Sequence, residues 1–257
     1  MQLLPIKTPL INKGDDLTKM ITDSADLNNK DIIVISSKAV AISEGNLIDL
    51  SKIEISNEAK EWSDKLNRNH PDPSFRQAVL NEAERMHGKV LPSCEHAMLT
   101  ELKPEGLGSG TILAANAGLD RSNAPEGLAI GWPKDPLASA KRLRKELSDI
   151  SGKNIAVIIT DSCCRPRRVG VTAIALTVSG IDPLQSQIGK DDLYGQDLRM
   201  TEEATADQLA TAANFVMGNA DQSIPAVVIR DHNLELSDYE EWVPGIDAED
   251  DLFKGML

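Results

Sequence analysis

Aromatic side chains are scarce in this 257-residue chain, with three Trp, two Tyr and three Phe making up 3% of it. A surface that binds single strands by stacking successive bases needs more of them, which argues against that kind of nucleic-acid binding. Positive charge is also in deficit. Lys and Arg number 27 against 40 Asp and Glu, a formal net charge of -13, so general attraction to polyanions or anionic membranes is not expected. No apolar run approaches the roughly 20 residues that span a bilayer. The N-terminal Met-Gln-Leu-Leu-Pro-Ile-Lys lacks the basic then apolar leader of a secretory signal. Cysteine is represented by three residues, and the adjacent pair Cys163-Cys164 has no zinc-knuckle gap. That usage suits a reducing cytoplasm better than a disulfide framework. Phosphate-loop, nucleophile-elbow and H-E-x-x-H motifs are all missing, and His70, His87, His96 and His232 have no ligand spacing.

What is present reads as an ordinary globular chain, 41% hydrophobic and 26% charged, long enough for a substantial core. Asp31–Ser36, Thr111–Ala115, Ile155–Thr160, Val171–Val178 and Ile224–Ile229 are short apolar runs that predict buried strands. Helices are expected over Asn57–Leu66 and Ser74–Met86, with the breaker His70-Pro71-Asp72-Pro73 between them. A third should open at Asp135-Pro136, carry Leu137, Ala140, Leu143 and Leu147 on one face, and stop at Gly152. On that helix Lys141, Arg142, Arg144 and Lys145 should be mostly solvated. A fourth is expected to be capped by Thr201, with Glu202 and Glu203 at its positive end, and to stop at Gly218. Strands and helices do not alternate regularly, so an α+β fold with a mixed, largely antiparallel sheet is favoured over a doubly wound one. The chain reads as one unit over 1–257, or two lobes, with 238–257 an acidic surface segment.

Three clusters could carry chemistry: Asn116-Ala-Gly-Leu-Asp120 with Asn123, Asp161-Ser162, and Arg165-Pro166-Arg167-Arg168. Asp161 follows an apolar strand, so its carboxylate is rigidly held yet able to reach a cleft. Carboxylate and hydroxyl oxygens suit hard divalent cations. Guanidinium groups can grip phosphate or carboxylate through two bonds. Taken singly, an aspartate at a strand end more often caps a turn, and a basic turn more often pairs with surface acids.

The order of motifs adds to that reading. Asn116-Ala-Gly-Leu-Asp-Arg-Ser-Asn123 resembles the N-A-G-[IV]-D-x-S-N signature of the coenzyme F-420 gamma-glutamyl ligases. The resemblance runs from Thr8-Pro-Leu-Ile11 and Ser36-Ser37-Lys38 through Ile158–Ser162, Gly189–Gly195 and Met217-Gly218 to Ile224–Arg230. It implies an α+β fold, an intertwined homodimer, and amide bond formation between L-glutamate and a phosphorylated deazaflavin precursor. GTP and a divalent metal, Mg2+ or Mn2+, with K+ as an additional ion, would drive the reaction through an acyl phosphate. Asp120, Asp161, Ser162 (where threonine is usual) and Asn219 would lie at the metals. Thr8, Pro9, Leu10, Ile11, Ser36, Ser37, Lys38, Asn123, Gly218 and Asn219 would meet the nucleotide. Asp120, Asp161 and Arg165 would be the catalytic set. The chain departs from the pattern at Ile42, where the family has a lysine, and at Cys164 and Arg167, where it has glycine and tryptophan. A related ligase with another acceptor, or a non-catalytic phosphate-binding relative, are the alternatives.

Overall fold

The computed structural model describes residues 1–66, 72–91 and 97–255; the His70-Pro71 half of the expected breaker, and His96, lie outside the described residues. The strands are β1 (Gln2–Ile6), β2 (Ile32–Ser36), β3 (Leu47–Asp49), β4 (Lys89–Val90), β5 (Leu99–Leu102), β6 (Ile112–Ala115) and β7 (Leu128–Ile130). After them come β8 (Ala156–Cys164), β9 (Val171–Ser179), β10 (Gln185–Ser186), β11 (Glu202–Glu203), β12 (Ala226–Arg230) and β13 (Glu240–Trp242). The α-helices are α1 (Leu17–Ser24), α2 (Ser37–Ser43), α3 (Asn57–Leu66), α4 (Pro73–Arg85), α5 (Pro136–Ser151) and α6 (Thr205–Met217).

Six strands form the main sheet in the order β1-β12-β2-β8-β9-β13, in which only β2 and β8 run parallel. The smaller sheets β4-β5-β6, β3-β7 and β10-β11 are antiparallel. The expected α+β fold with a mixed, largely antiparallel sheet is what forms. The uninterrupted apolar runs have a simple cause: both faces of the central strands are covered. Ile33, Ile35, Val157 and Ile159 join one core cluster with α1, α4 and α5, while Ile32, Val34, Ala156 and Ile158 join a second with α6. Side chains alternate faces along a strand. With helices on both sides every position is buried, at about 1.5–3 kcal/mol for each large aliphatic side chain.

The caps of α5 are as expected, with the Asp135 side chain accepting from the Ala138 amide, Pro136 in the first turn, and Gly152 left-handed at the end. Gly218 likewise ends α6. Two expectations need correction. The helix expected from Thr201 begins instead at Thr205 with Ala204 as its cap, and Glu202–Glu203 is strand β11 against β10. The 238–257 segment is not all surface: Glu240–Trp242 adds β13 to the main sheet, and Trp242 is buried beneath it. Most of the α5 cations are solvated as expected, Lys141, Arg142 and Lys145 being exposed, while Arg144 is half-buried and its guanidinium donates to the Ile155 carbonyl and to Glu240, clamping that edge strand. Burial of Trp242 and the Arg144 clamp outweigh an acidic composition that reads as solvated.

Candidate active site

Asp161 lies inside β8, not at its end, because the strand continues to Cys164. Its direction is set one residue earlier. The β8–β9 register shifts between Ile159 and Thr160, so that Ile159 pairs with Thr177 but Thr160 with Ala175. An extra residue on one strand bends and twists the ladder, a device that re-aims side chains. The Asp207 carboxylate of α6 accepts from the Ala175 amide at 2.8 Å and so closes the irregularity. Beyond it, the arm carrying Asp161, Ser162, Cys163 and Cys164 leans over β6.

Asp120 arrives from the other side. Strand β6 ends in a tight turn in which Asn116, Ala117 and Gly118 all have positive φ, at 52°, 53° and 74°. Asp120 then forms a two-bond bridge with Ile130, its amide donating at 2.8 Å and its carbonyl accepting at 2.9 Å. Between the two arms is a cavity of ≈ 360 Å³. Its lining includes the polar Lys38, Asp120, Asp161, Ser162 and Arg165 and the apolar Leu99, Leu113, Leu119 and Ile174.

The two carboxylates are held differently. Burial raises the Asp120 pKa, but the Lys38 ammonium and the Ser122 hydroxyl and amide outweigh it and bring the carboxyl down to about 2. A carboxyl depressed on folding contributes stability that is present above its ordinary pKa near 3.9 and lost as pH falls towards 2. In the presence of a chelator, carbon-detected NMR should therefore find the Asp120 carboxyl titrating near 2, and Lys38→Met should move that midpoint up. An unmoved midpoint would exclude Lys38 as the controlling partner. Asp161 goes the other way. Burial pushes its carboxyl above the usual range, against the opposing Trp132 hydrogen bond and Lys38 charge.

The Trp132 indole Nε1 donates to Asp161 Oδ2 at 2.7 Å, and no sequence motif pointed to that tryptophan. Its position after β7, two residues beyond the strand that bridges Asp120, was the available signal. Gly118 makes room for it: a Cβ at Gly118 would meet the indole Nε1 at 2.5 Å, on a backbone with φ of 74°. Gly118→Ala is expected to cost about 2–4 kcal/mol from left-handed strain and overpacking. A lowered melting temperature with a shifted tryptophan emission would support this, and an unchanged pair would refute it.

The remaining residues of interest gather at the same end of the sheet but do not line the cavity. The Thr8 amide donates to the Ser223 carbonyl at 3.1 Å, the Ser36 amide to Pro225 at 2.9 Å, and Asn123 Nδ2 to Ala220 at 3.2 Å. These bonds draw Thr8–Ile11, Ser36-Ser37, Asn123 and the loop containing Gly218 and Asn219 around one rim. Within that rim Thr8 and Ser37 are buried, while Pro9, Leu10, Asn123 and Asn219 are exposed. Of the three arginines only Arg165 lines the cavity; Arg167 and Arg168 belong to the exposed β8–β9 turn. Ile42 sits half-buried on α2, one turn after Lys38.

Comparison with known proteins identifies the family. Residues 5–231 match the family described as F420-0:gamma-glutamyl ligase. Among curated relatives, the Coenzyme F420:L-glutamate ligase of Methanopyrus kandleri is 40% identical, over 90% of this chain and 86% of the relative. Proteins of that name from Methanothermobacter thermautotrophicus and Methanocaldococcus jannaschii are each 37% identical. Those alignments cover 86% and 91% of this chain, and 85% and 89% of the respective relatives. The chain is therefore an enzyme of the ligase class. It belongs to the F420-0:gamma-glutamyl ligase family.

Proposed function

We propose that this chain attaches L-glutamate by an amide bond to the phosphorylated deazaflavin precursor F420-0, using GTP and releasing GDP and phosphate. The observation that carries the proposal is the cavity that Asp120, Asp161, Ser162, Lys38 and Arg165 line together with Leu99, Leu113, Leu119 and Ile174. Cavity chemistry and family membership support it together. A carboxylate does not react with an amine at neutral pH, so it must first be activated, here as an acyl phosphate.

The donors present suit Mg2+ or Mn2+, since such ions are commonly bound by one or two carboxylates with substrate phosphates completing the shell. Held by Asp120, Asp161 and Ser162, the ion would neutralise charge on the transferring phosphoryl group. Asn219 enters the proposal as a further oxygen donor, and K+ as a second ion, through the resemblance. Trp132 fixes the Asp161 carboxylate in one orientation. Lys38, tied to Asp120, adds positive charge beside the phosphates, and Arg165 at the rim can grip a phosphate or carboxylate through two bonds. Leu99, Leu113, Leu119 and Ile174 offer a dry surface for a planar ring. With GTP and glutamate as substrates, the proposed location is the cytoplasm. The test is GDP release that requires both glutamate and F420-0. No GDP with folded, Mg2+- or Mn2+-supplied protein would reject the reading, and GDP with other acids in place of F420-0 would redirect it.

A homodimer is part of the same proposal. Between Gln185 and Glu203 the chain leaves the sheet as a two-stranded excursion whose large side chains are bare, Leu193 fully and Tyr194 and Met200 nearly so. Such apolar exposure commonly marks an interface. Light scattering should give twice the chain mass, and Leu193→Asp with Tyr194→Asp should give the monomer mass. A monomeric wild type would exclude the dimer.

A further inference from the structure

Arg76 of α4 is 9% exposed, yet no carboxylate neutralises it at hydrogen-bond distance among the described residues. The acid whose charge acts on it, Asp72, already pairs with Arg121 and accepts from the Ser74 hydroxyl and the Phe75 amide. The Arg76 Nε is buried without a partner, and the guanidinium lies 5.5 Å from the centre of the Phe75 ring. Burying a cation this way is costly unless the arrangement serves a purpose. Among the described residues, the one side-chain hydrogen bond Arg76 makes runs from Nη1 to Asn116 Oδ1, at 3.4 Å.

Asn116 stands at the head of the left-handed turn and lines the cavity. Its Oδ1 also accepts from the Met98 amide at 3.3 Å, its own amide donates to the Met98 carbonyl at 2.6 Å, and its carbonyl accepts from Leu119 at 2.9 Å. Guanidinium and amide N–H groups can only donate, so Oδ1 must be the atom facing them. That leaves Nδ2 as the one polar group of Asn116 with no protein partner among the described residues. Successive non-glycine residues at positive φ are uncommon and concentrate where function requires them.

We infer that Asn116 Nδ2 is a fixed hydrogen-bond donor to an oxygen of the acceptor substrate, and that Arg76 is the positioning residue that locks the amide in that orientation. The inference rests on the proposed function and deepens it by naming how the acceptor is recognised. A donor with one allowed orientation favours an acceptor carrying a carbonyl or anionic oxygen beside its planar ring. It rejects analogues that lack this oxygen.

Asn116→Asp tests it, because a carboxylate still accepts from Arg76 and Met98 but offers no N–H. The KM for F420-0 should rise about tenfold or more, the effect of losing one substrate hydrogen bond. The KM values for GTP and glutamate should stay within twofold, with an unchanged melting temperature. Arg76→Met should raise the same KM by a smaller factor, and Arg76→Lys should restore it. Titration of F420-0 fluorescence against each variant supplies a binding readout free of turnover. If the aspartate variant fails to fold, the Met and Lys pair decides the matter. Wild-type turnover with an unmoved F420-0 KM in both Asn116→Asp and Arg76→Met would overturn this inference alone. Parallel rises in all three KM values would also overturn it. A wild type that neither binds nor uses F420-0 would overturn the functional reading and this inference together.

Discussion

Asp161→Asn is expected to lower glutamate-dependent GDP release by at least about 10²–10³-fold, the usual range when one charged or polar group serving the transition state is removed. The amide is nearly isosteric, and its oxygen can still accept from Trp132, so the geometry around the indole is retained. What disappears is the charge. Burial raises the Asp161 carboxyl above its ordinary pKa, so the folded state holds a proton more tightly than the unfolded chain. Stability contributed by such a group falls as pH rises from the ordinary carboxylate value through the raised one. The neutral variant should therefore melt at the same temperature as the wild type or higher at pH 7, with the advantage shrinking towards pH 4. Lost activity with retained or increased stability is the signature of a residue kept for chemistry. Full activity in a folded Asp161→Asn protein would remove Asp161 from the mechanism, and lost activity with a lower melting temperature would make its role structural.

The largest stability effect is expected far from the cavity. Asp31 is 1% exposed and accepts from Arg230 Nε at 2.9 Å and Nη2 at 2.7 Å, and from the Asn28 amide at 2.7 Å. It sits just before β2 while Arg230 ends β12, so the two-bonded pair ties neighbouring strands of the main sheet. Asp31→Ala opens a buried void, leaves the Asn28 amide without its acceptor and leaves the Arg230 guanidinium with its bond to the Asp26 carbonyl in place of the pair. Removing one partner of a buried pair costs about 3–5 kcal/mol. For a chain of this length each kcal/mol lowers the melting temperature by about 2–4 °C, so a fall near 10 °C is expected by calorimetry. Asp31→Asn, which can still accept from both neighbours, should lose less than half of that. Equal losses in both variants would show that charge, not hydrogen bonding, dominates the pair.

How legible the protein was in its sequence differs from feature to feature. The buried strands could be read because helices cover both faces of the sheet, which makes every residue of Ile32–Ser36 and Ala156–Thr160 apolar or small. Helix α5 could be read to the residue because its caps are local, an aspartate, a proline and a glycine acting within a few positions. The start of α6 was misread because Thr201-Glu202-Glu203 satisfies a local capping pattern, while pairing with Gln185-Ser186 claims those residues for a strand. Strand β13 was missed for the same kind of reason, since its acidic composition hides a buried tryptophan and a distant arginine clamp.

The site divides along the same line. Asp120, Asp161 and their neighbours were identifiable because short motifs recur in a fixed order along the chain. Trp132, Arg76 and the Lys38–Asp120 pair were not, because each joins residues 29 to 82 positions apart. The sequence by itself determined the class of fold, the interior strands and the local caps, which depend on composition and nearby spacing, while the ligase family came from its resemblance to known sequences. The tertiary structure alone decided which arginine reaches the cavity, which tryptophan orients a carboxylate and which amide an arginine holds at the cavity wall. A hydrogen bond depends on distance and direction in space, and those are established only when the sheet twists, the strand bends at its irregularity and distant loops close around one rim.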